Sequence, residues 1–225
     1  MPHHFHVLAF DWDGTLIDSQ ARIVGSLHAA IRDVGLEPRT DQQIRNIIGL
    51  SLESAMLHLY PNVAAADCYA VIERYRHYYF AVGLAPTPLF PKVKETLGSL
   101  QELGYTLAVA TGKSRAGLDR ALAECELTEF FTITRCADET RSKPDPKMLF
   151  EIMEVLAVAP KNMLMIGDSE YDLHMANNAG VPAVGVNYGV HEQQRLQALN
   201  PLTCLDNFAS LLTWLQRETI LPPQG

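Results

Sequence analysis

Residues 7–19 read VLAFDWDGTLIDS. The apolar run at its head has the length and composition of a strand buried on both faces. Asp11 and Asp13 stand one residue apart where that run ends. Residues two apart in an extended chain share a face, so the pair aims two carboxylates into one small volume. At about 4 Å and an effective dielectric near 20 they repel by about 4 kcal/mol. Such a pair calls for a shared proton or a cation between its oxygens.

The same kind of run recurs down the chain. HVLAF at 6–10 is followed by TLAVA at 106–110, MLMI at 163–166 and PAVGV at 182–186, each leading into a turn. Helical patterns lie between them. Val93, Leu97, Leu100 and Leu103 share one face, with Gly104 as a stop signal, and a second helix opens near Pro146 with Leu149, Ile152, Met153 and Leu156 as its stripe. Strands alternating with helices predict an α/β fold with a doubly wound parallel sheet, a Rossmann-like core. One connection breaks the rhythm: about ninety residues separate the first two runs, where about 2 to 6 would serve. Residues 18–86 read as helical, through Ile23, Leu27, Ile31 and Val34 and then Val71, Tyr75, Tyr78 and Val82. Asp18 and Ser19 stand where a helix N-cap belongs, and Pro86, Pro88 and Pro91 mark the return. The expected organisation is a core of residues 1–17 and 87–225 with a small helical cap at 18–86.

The composition narrows the partners. The 225 residues are 48% hydrophobic and 20% charged, an ordinary globular balance, and the formal net charge of -8 disfavours nucleic acid and anionic membrane. The partner expected is therefore a small molecule, and an anionic one must be met by a local cationic site. Cys68, Cys125, Cys136 and Cys204 are scattered without a CxxC, which fits a reducing, cytoplasmic setting better than a zinc or disulfide framework. His3, His4 and His6 read as a solvated lead-in to the first strand.

In open parallel sheets ligands bind beyond the carboxyl ends of the strands. There the sequence places Asp11; Thr111, Gly112 and Lys113; and Gly167, Asp168, Ser169 and Asp172, with Lys143 ahead of the Pro146 helix. Carboxylates, a hydroxyl and an ammonium on one edge make a site for magnesium and a phosphate. Asp11 suits an in-line nucleophile and Asp13 proton transfer. Gly14 permits a tight turn with its amides near the phosphoryl oxygens, Thr15 can add a hydroxyl, and Lys143 neutralises charge beside Thr111 and Gly112.

These residues resemble the four motifs of the haloacid dehalogenase superfamily, specifically its phosphatases with a helical cap inserted after the first motif. DWDGT, ATGK at Thr111, SKPDP at Lys143 and GDSEYD at Asp168 and Asp172 carry the likeness over nearly the whole chain. IGLSLESAM and GVNYG are similar to stretches of its phosphoglycolate phosphatase group. The resemblance implies magnesium held by Asp11, Asp168 and the backbone carbonyl of Asp13, with Asp172 in support. It implies hydrolysis of a small phosphorylated metabolite through an aspartyl phosphate, by a monomer or homodimer. Ser169 stands where many relatives have threonine. A sugar phosphomutase of the same superfamily uses the same carboxylates and stays open, and a phospho-acceptor signalling domain is the non-enzymatic rival. Specificity is expected from the cap, where Arg22, His28, Arg45 and His58 are the candidates to touch substrate.

Overall fold

The computed structural model describes residues 4–81 and 85–220, so that His3 and Val82 lie outside the described residues. Six strands form one parallel sheet: β1 (Val7–Phe10), β2 (Thr106–Thr111), β3 (Ile133–Cys136), β4 (Met163–Gly167), β5 (Ala183–Val186) and β6 (Thr203–Leu205), in the order β3-β2-β1-β4-β5-β6. This is the doubly wound order, with its reversal beside β1. Phe10 lies level with Val109 on one side and Ile166 on the other, which brings the ends of three strands to one edge.

Side-chain size differs between the two faces. Leu8, Phe10, Leu107, Val109, Leu164 and Ile166 point to one layer, against α5 (Val93–Glu102), α6 (Arg115–Glu124) and α10 (Ser210–Ile220). On the other face Ala9, Ala108 and Ala110 leave room for Met148, Leu149, Ile152 and Met153 of α7 (Lys147–Leu156). Leu173 and Met175 of α8 (Glu170–Ala179) join them there. Large side chains on one helix are thus admitted by small ones on the strands, as close packing requires. Among the described residues no helix is long and apolar enough to cross a membrane.

Four helices stand between β1 and β2: α1 (Gln20–Val34), α2 (Asp41–Arg45), α3 (Leu52–Leu59) and α4 (Ala65–Tyr79). They share an apolar cluster of their own, built on Ile23, Leu27, Ile31, Ile44, Met56, Val71 and Ile72. The two crossings between this unit and the sheet run side by side. Ile17 bridges Leu89, Asp18 N donates to Pro88 O at 2.9 Å, and Phe90 N donates to Leu16 O at 3.0 Å.

The four strands expected from apolar runs are present within a residue of their predicted bounds. β3 and β6 were not expected: they are sheet edges, and the half-exposed sequences ITRC and TCL carry no continuous apolar run. Leu103 lies past the end of its helix and is 40% exposed instead of completing the stripe. Ser19 occupies the N-cap position of α1, but its side chain makes no capping bond, and Asp18 is exposed. The alanine face yields a direct check. Ala108→Leu overfills the layer under α7 and should destabilise the protein by about 1–3 kcal/mol in urea unfolding. An unchanged midpoint would mean that this layer is not close-packed.

Candidate active site

β1 delivers Asp11 at its end, and the chain then turns sharply: Leu16 and Ile17 N–H both donate to Trp12 O, and Gly14 N donates to Ile17 O at 3.0 Å. Gly14 has φ +86, and a Cβ there would lie 2.2 Å from Asp168 Oδ2, so the turn closes only on glycine. β4 delivers Asp168 and then Ser169, which caps α8: its hydroxyl accepts from Asp172 N, while its own N–H donates to Asp172 Oδ2 at 3.0 Å. The GDSEYD stretch is thus a capping box and a carboxylate pair at once.

Asp11, Asp168 and Asp172 bring oxygens within 4.8 Å of one another, all buried. Lys143 enters from the loop ahead of α7, fully buried, and donates to Asp11 Oδ1 and Asp172 Oδ1, each at 2.6 Å. Thr15 Oγ1 and Val190 N donate to Asp168 at 2.9 and 2.8 Å. Burial raises Asp11 well above the usual carboxylate range against the pull of Lys143, and burial with the neighbouring Asp172 pushes Asp168 up to about 7. Burial alone would lower Lys143, but Asp11 and Asp172 outweigh it and keep the ammonium charged. With all three ionised, three carboxylates against one ammonium would leave two negative charges in a dry site, which is what raises Asp11 and Asp168. Asp11 Oδ2 is buried with no hydrogen-bond partner. An all-oxygen donor set with that charge and an orphaned oxygen fits one hard divalent cation.

Asp13 is turned elsewhere. It lies past the end of β1, where strand alternation no longer applies, and both its oxygens accept from Lys113 Nζ at 2.8 Å. The expected crowding of two carboxylates around one cation is therefore corrected: Asp11 is paired with Lys143 and Asp13 with Lys113. Lys113 also donates to Tyr79 Oη at 3.2 Å and lies 4.8 Å from that ring, joining α4 to the strand edge. Its neighbours Asp13 and Tyr79 outweigh burial and raise its pKa. Lys113 is a site residue beyond those expected; its position directly after Thr111 and Gly112, at a strand end, is the signal the sequence offers for it.

Above these groups lies a cavity of about 70 Å³. Asp11, Asp13, Thr111 and Gly112 line it, whereas Gly14, Thr15, Lys143, Asp168 and Asp172 stand behind that surface. The Thr15 hydroxyl is spent on Asp168, and the Gly14 amide on Ile17, so neither is directed at a ligand. Thr111 Oγ1 accepts from Lys113 N at 3.2 Å, which leaves its O–H free to donate. A Cβ on Gly112 would meet Gly49 O and Leu50 O at 2.5 Å, so the loop after α2 rests directly on this glycine. The same loop is held to the sheet by Tyr171 Oη donating to Asn46 O at 2.7 Å and Ser51 N donating to Ser142 Oγ at 2.9 Å.

The four polar residues expected to touch substrate do not line the cavity. Arg22 donates to Thr87 Oγ1 in a neighbouring cleft, Arg45 and His28 lie with Asp41 on the outer surface, and His58 is exposed. Periodicity placed them on helices without showing which face looks down at the sheet.

A sequence model described as haloacid dehalogenase-like hydrolase matches residues 8–186. The chain belongs to this family. As a haloacid dehalogenase-like hydrolase it is 34% identical over 210 residues to the probable phosphatase IndB of Dickeya dadantii, covering 92% of this chain and 91% of that one. A phosphoglycolate phosphatase of Vibrio vulnificus is 31% identical over 214 residues, with 92% and 94% coverage. The crystal structure of a predicted phosphoglycolate phosphatase from Haemophilus somnus superposes with a TM-score of 0.84 at 25% identity, over 94% of this chain and 98% of that one. Family, fold and these relatives make the protein a phosphatase, a phosphoric monoester hydrolase.

The carboxylate cluster has two measurable consequences. With no cation bound, folded Asp168 keeps a proton that the unfolded chain releases above its ordinary 3.8. That contribution is complete below pH 3.8 and is lost as pH rises to about 7. A divalent cation bound there would take the proton's place, so magnesium should raise the melting temperature more near pH 8 than near pH 5; at a hundredfold excess over its Kd the stabilisation would be about 2.7 kcal/mol. Asp168→Asn should abolish the shift; equal shifts at both pH values would contradict the assignment. Lys143→Ala strands buried carboxylates and should cost about 3–5 kcal/mol of stability, read by urea unfolding. A wild-type midpoint would show that the ammonium is dispensable to the fold.

Proposed function

We propose that the protein is a magnesium-dependent phosphatase of a small phosphorylated metabolite, working through an aspartyl phosphate on Asp11, in the cytoplasm. The observation that carries this reading is the unpartnered Oδ2 of Asp11, at a strand end lining the cavity, with Asp13 held beside it by a separate cation. An oxygen left without a donor in a fully buried carboxylate is a nucleophile with its lone pairs unspent. The four unpaired cysteines fit the reducing compartment. The sheet, inserted helices and strand-end loops support a division into core 1–17 and 87–225 and cap 18–86.

Asp11, Asp168 and the backbone carbonyl of Asp13 would hold the magnesium, with Asp172 behind them. The ion supplies charge neutralisation to a carboxylate that must approach a dianion. Asp11 attacks phosphorus as the ester P–O bond breaks, and Asp13 gives its proton to the departing alkoxide. Water then attacks the phosphorus of the aspartyl phosphate while Asp13 takes up its proton, and inorganic phosphate leaves with Asp11 restored. Lys113 holds both oxygens of Asp13 in place for these two duties. The Thr111 hydroxyl and the Gly112 amide suit the phosphoryl oxygens, and Lys143 keeps the Asp11 and Asp172 charges in balance. The relatives named above as phosphoglycolate phosphatases support a small monoester as the substrate class.

The two aspartates can be separated experimentally. Rapid quench with a ³²P-labelled aryl phosphate should find no acyl phosphate in Asp11→Asn. In Asp13→Ala, label should accumulate on Asp11, because an activated leaving group needs no acid while water still needs its base. Label mapped to Thr111 or Ser169, or none with any ester, would refute the covalent path.

A further inference from the structure

The wall of the cavity opposite the reacting groups is apolar. Ile23, Ile48, Leu50, Tyr75, Tyr79 and Phe80 form most of it. Among the described residues two cations border the space, and both are engaged. Lys113 is bound to Asp13, and the guanidinium of Arg76 pairs with Glu73 at 2.5 Å with its side chain 39% exposed. Arg45, His28 and His58 face other surfaces, Arg22 lies behind the Tyr79 ring at 5.2 Å and donates to Thr87, and residues 82–84 contribute no ionisable side chain. A carboxylate or second phosphate on the leaving group would thus enter a mainly apolar enclosure beside two aspartates, and would have to compete with Asp13 and Glu73 for the cations at its border.

One polar group is left over on that wall. Tyr75 is 8% exposed and lines the cavity, and among the described residues its hydroxyl has no hydrogen-bond partner. Burial and the nearby Tyr79 and Asp13 raise its pKa, so it stays a neutral phenol able both to donate and to accept. A phenol hydroxyl that opens on the cavity, and that only water would otherwise meet, can donate to a ligand there.

Resting on the phosphatase reading, we propose that the alcohol released at this site is uncharged and mainly apolar, gripped by the inserted helices and oriented by one hydrogen bond to Tyr75. Water supplies hydroxyl to phosphorus and the alcohol leaves carrying a proton, so no charge is created on its side of the cavity. Esters with an anion beside the phosphate, phosphoglycolate included, are then poor substrates. Selectivity lies in apolar contact with α1, α4 and the loop bearing Ile48 and Leu50, and Tyr75 is its specificity-determining residue.

Isobutyl phosphate and 2-phosphoglycolate make a nearly isosteric pair, two methyl groups in one standing where two carboxylate oxygens stand in the other. With magnesium present, kcat/KM should favour isobutyl phosphate by at least about tenfold. A preference for phosphoglycolate would overturn the proposal while leaving the phosphatase reading intact. Phosphate release from neither ester, nor from an aryl phosphate, would defeat both. In Arg76→Leu the ratio should stay within about twofold of wild type; loss of phosphoglycolate turnover alone would show that Arg76 receives a carboxylate and that the leaving group is charged. Tyr75→Phe should lower kcat/KM for 3-hydroxypropyl phosphate by about tenfold relative to propyl phosphate. Because that ratio cancels any loss of folded enzyme, an unchanged value would remove Tyr75 from the assignment.

Discussion

Everything at the strand edge depends on burying three carboxylates with one ammonium. Lys143 reaches Asp11 and Asp172 from the loop ahead of α7, and its two 2.6 Å bonds fix where both oxygens lie. Taking such charges out of water is costly unless every lone pair finds a partner. Most do: Asp168 is met by Thr15 and Val190, and Asp172 by Ser169. The exception is Oδ2 of Asp11, the atom on which the chemistry falls. The site is therefore held rigid by satisfied groups around one that is deliberately left unsatisfied, which is how a fold stores reactivity without losing its shape.

Much of this was legible because backbone and chemistry share the same residues. The apolar runs mark β1, β2, β4 and β5, and in a doubly wound sheet the residues just after such runs have one place to go. Asp11, Thr111, Asp168 and Asp172 were located by that rule alone. What escaped the sequence has physical reasons. Edge strands β3 and β6 are half exposed and need no apolar run. The Asp13 to Lys113 pair spans a hundred residues and depends on a turn at Gly14 that no periodicity describes. Helical spacing found the stripes of α1 and α4 but not their orientation over the sheet, so the candidates Arg22, Arg45, His28 and His58 were chosen by charge while the residues that wall the cavity are apolar.

Two tight contacts show how the helical unit and the sheet are matched. Gly112 has no room for a side chain beneath the carbonyls of Gly49 and Leu50, and Lys113, the next residue, reaches up to Tyr79. A single turn after β2 thus receives the loop after α2 by being small and contacts α4 by being long. The contact to Tyr79 involves the same ammonium that faces Asp13, so the seating of the helices and the electrostatic surroundings of Asp13 are linked through one side chain.

The side-by-side crossings at Ile17 and Leu89 carry a consequence for how such a molecule diversifies. A segment that enters and leaves the sheet at a single point is topologically a loop, however many residues it holds, and lengthening a closed loop is thermodynamically mild. Strand register and the carboxylate cluster are indifferent to what hangs from that point. Most of the inserted helices can be rewritten while the reacting groups keep their spacing, so chemistry and selectivity are separable except where Tyr79 meets Lys113. The price of that freedom is paid locally, at Gly112 and Lys113 and where Tyr171 and Ser142 hold the loop after α2, positions where the exchangeable part must still fit the fixed one.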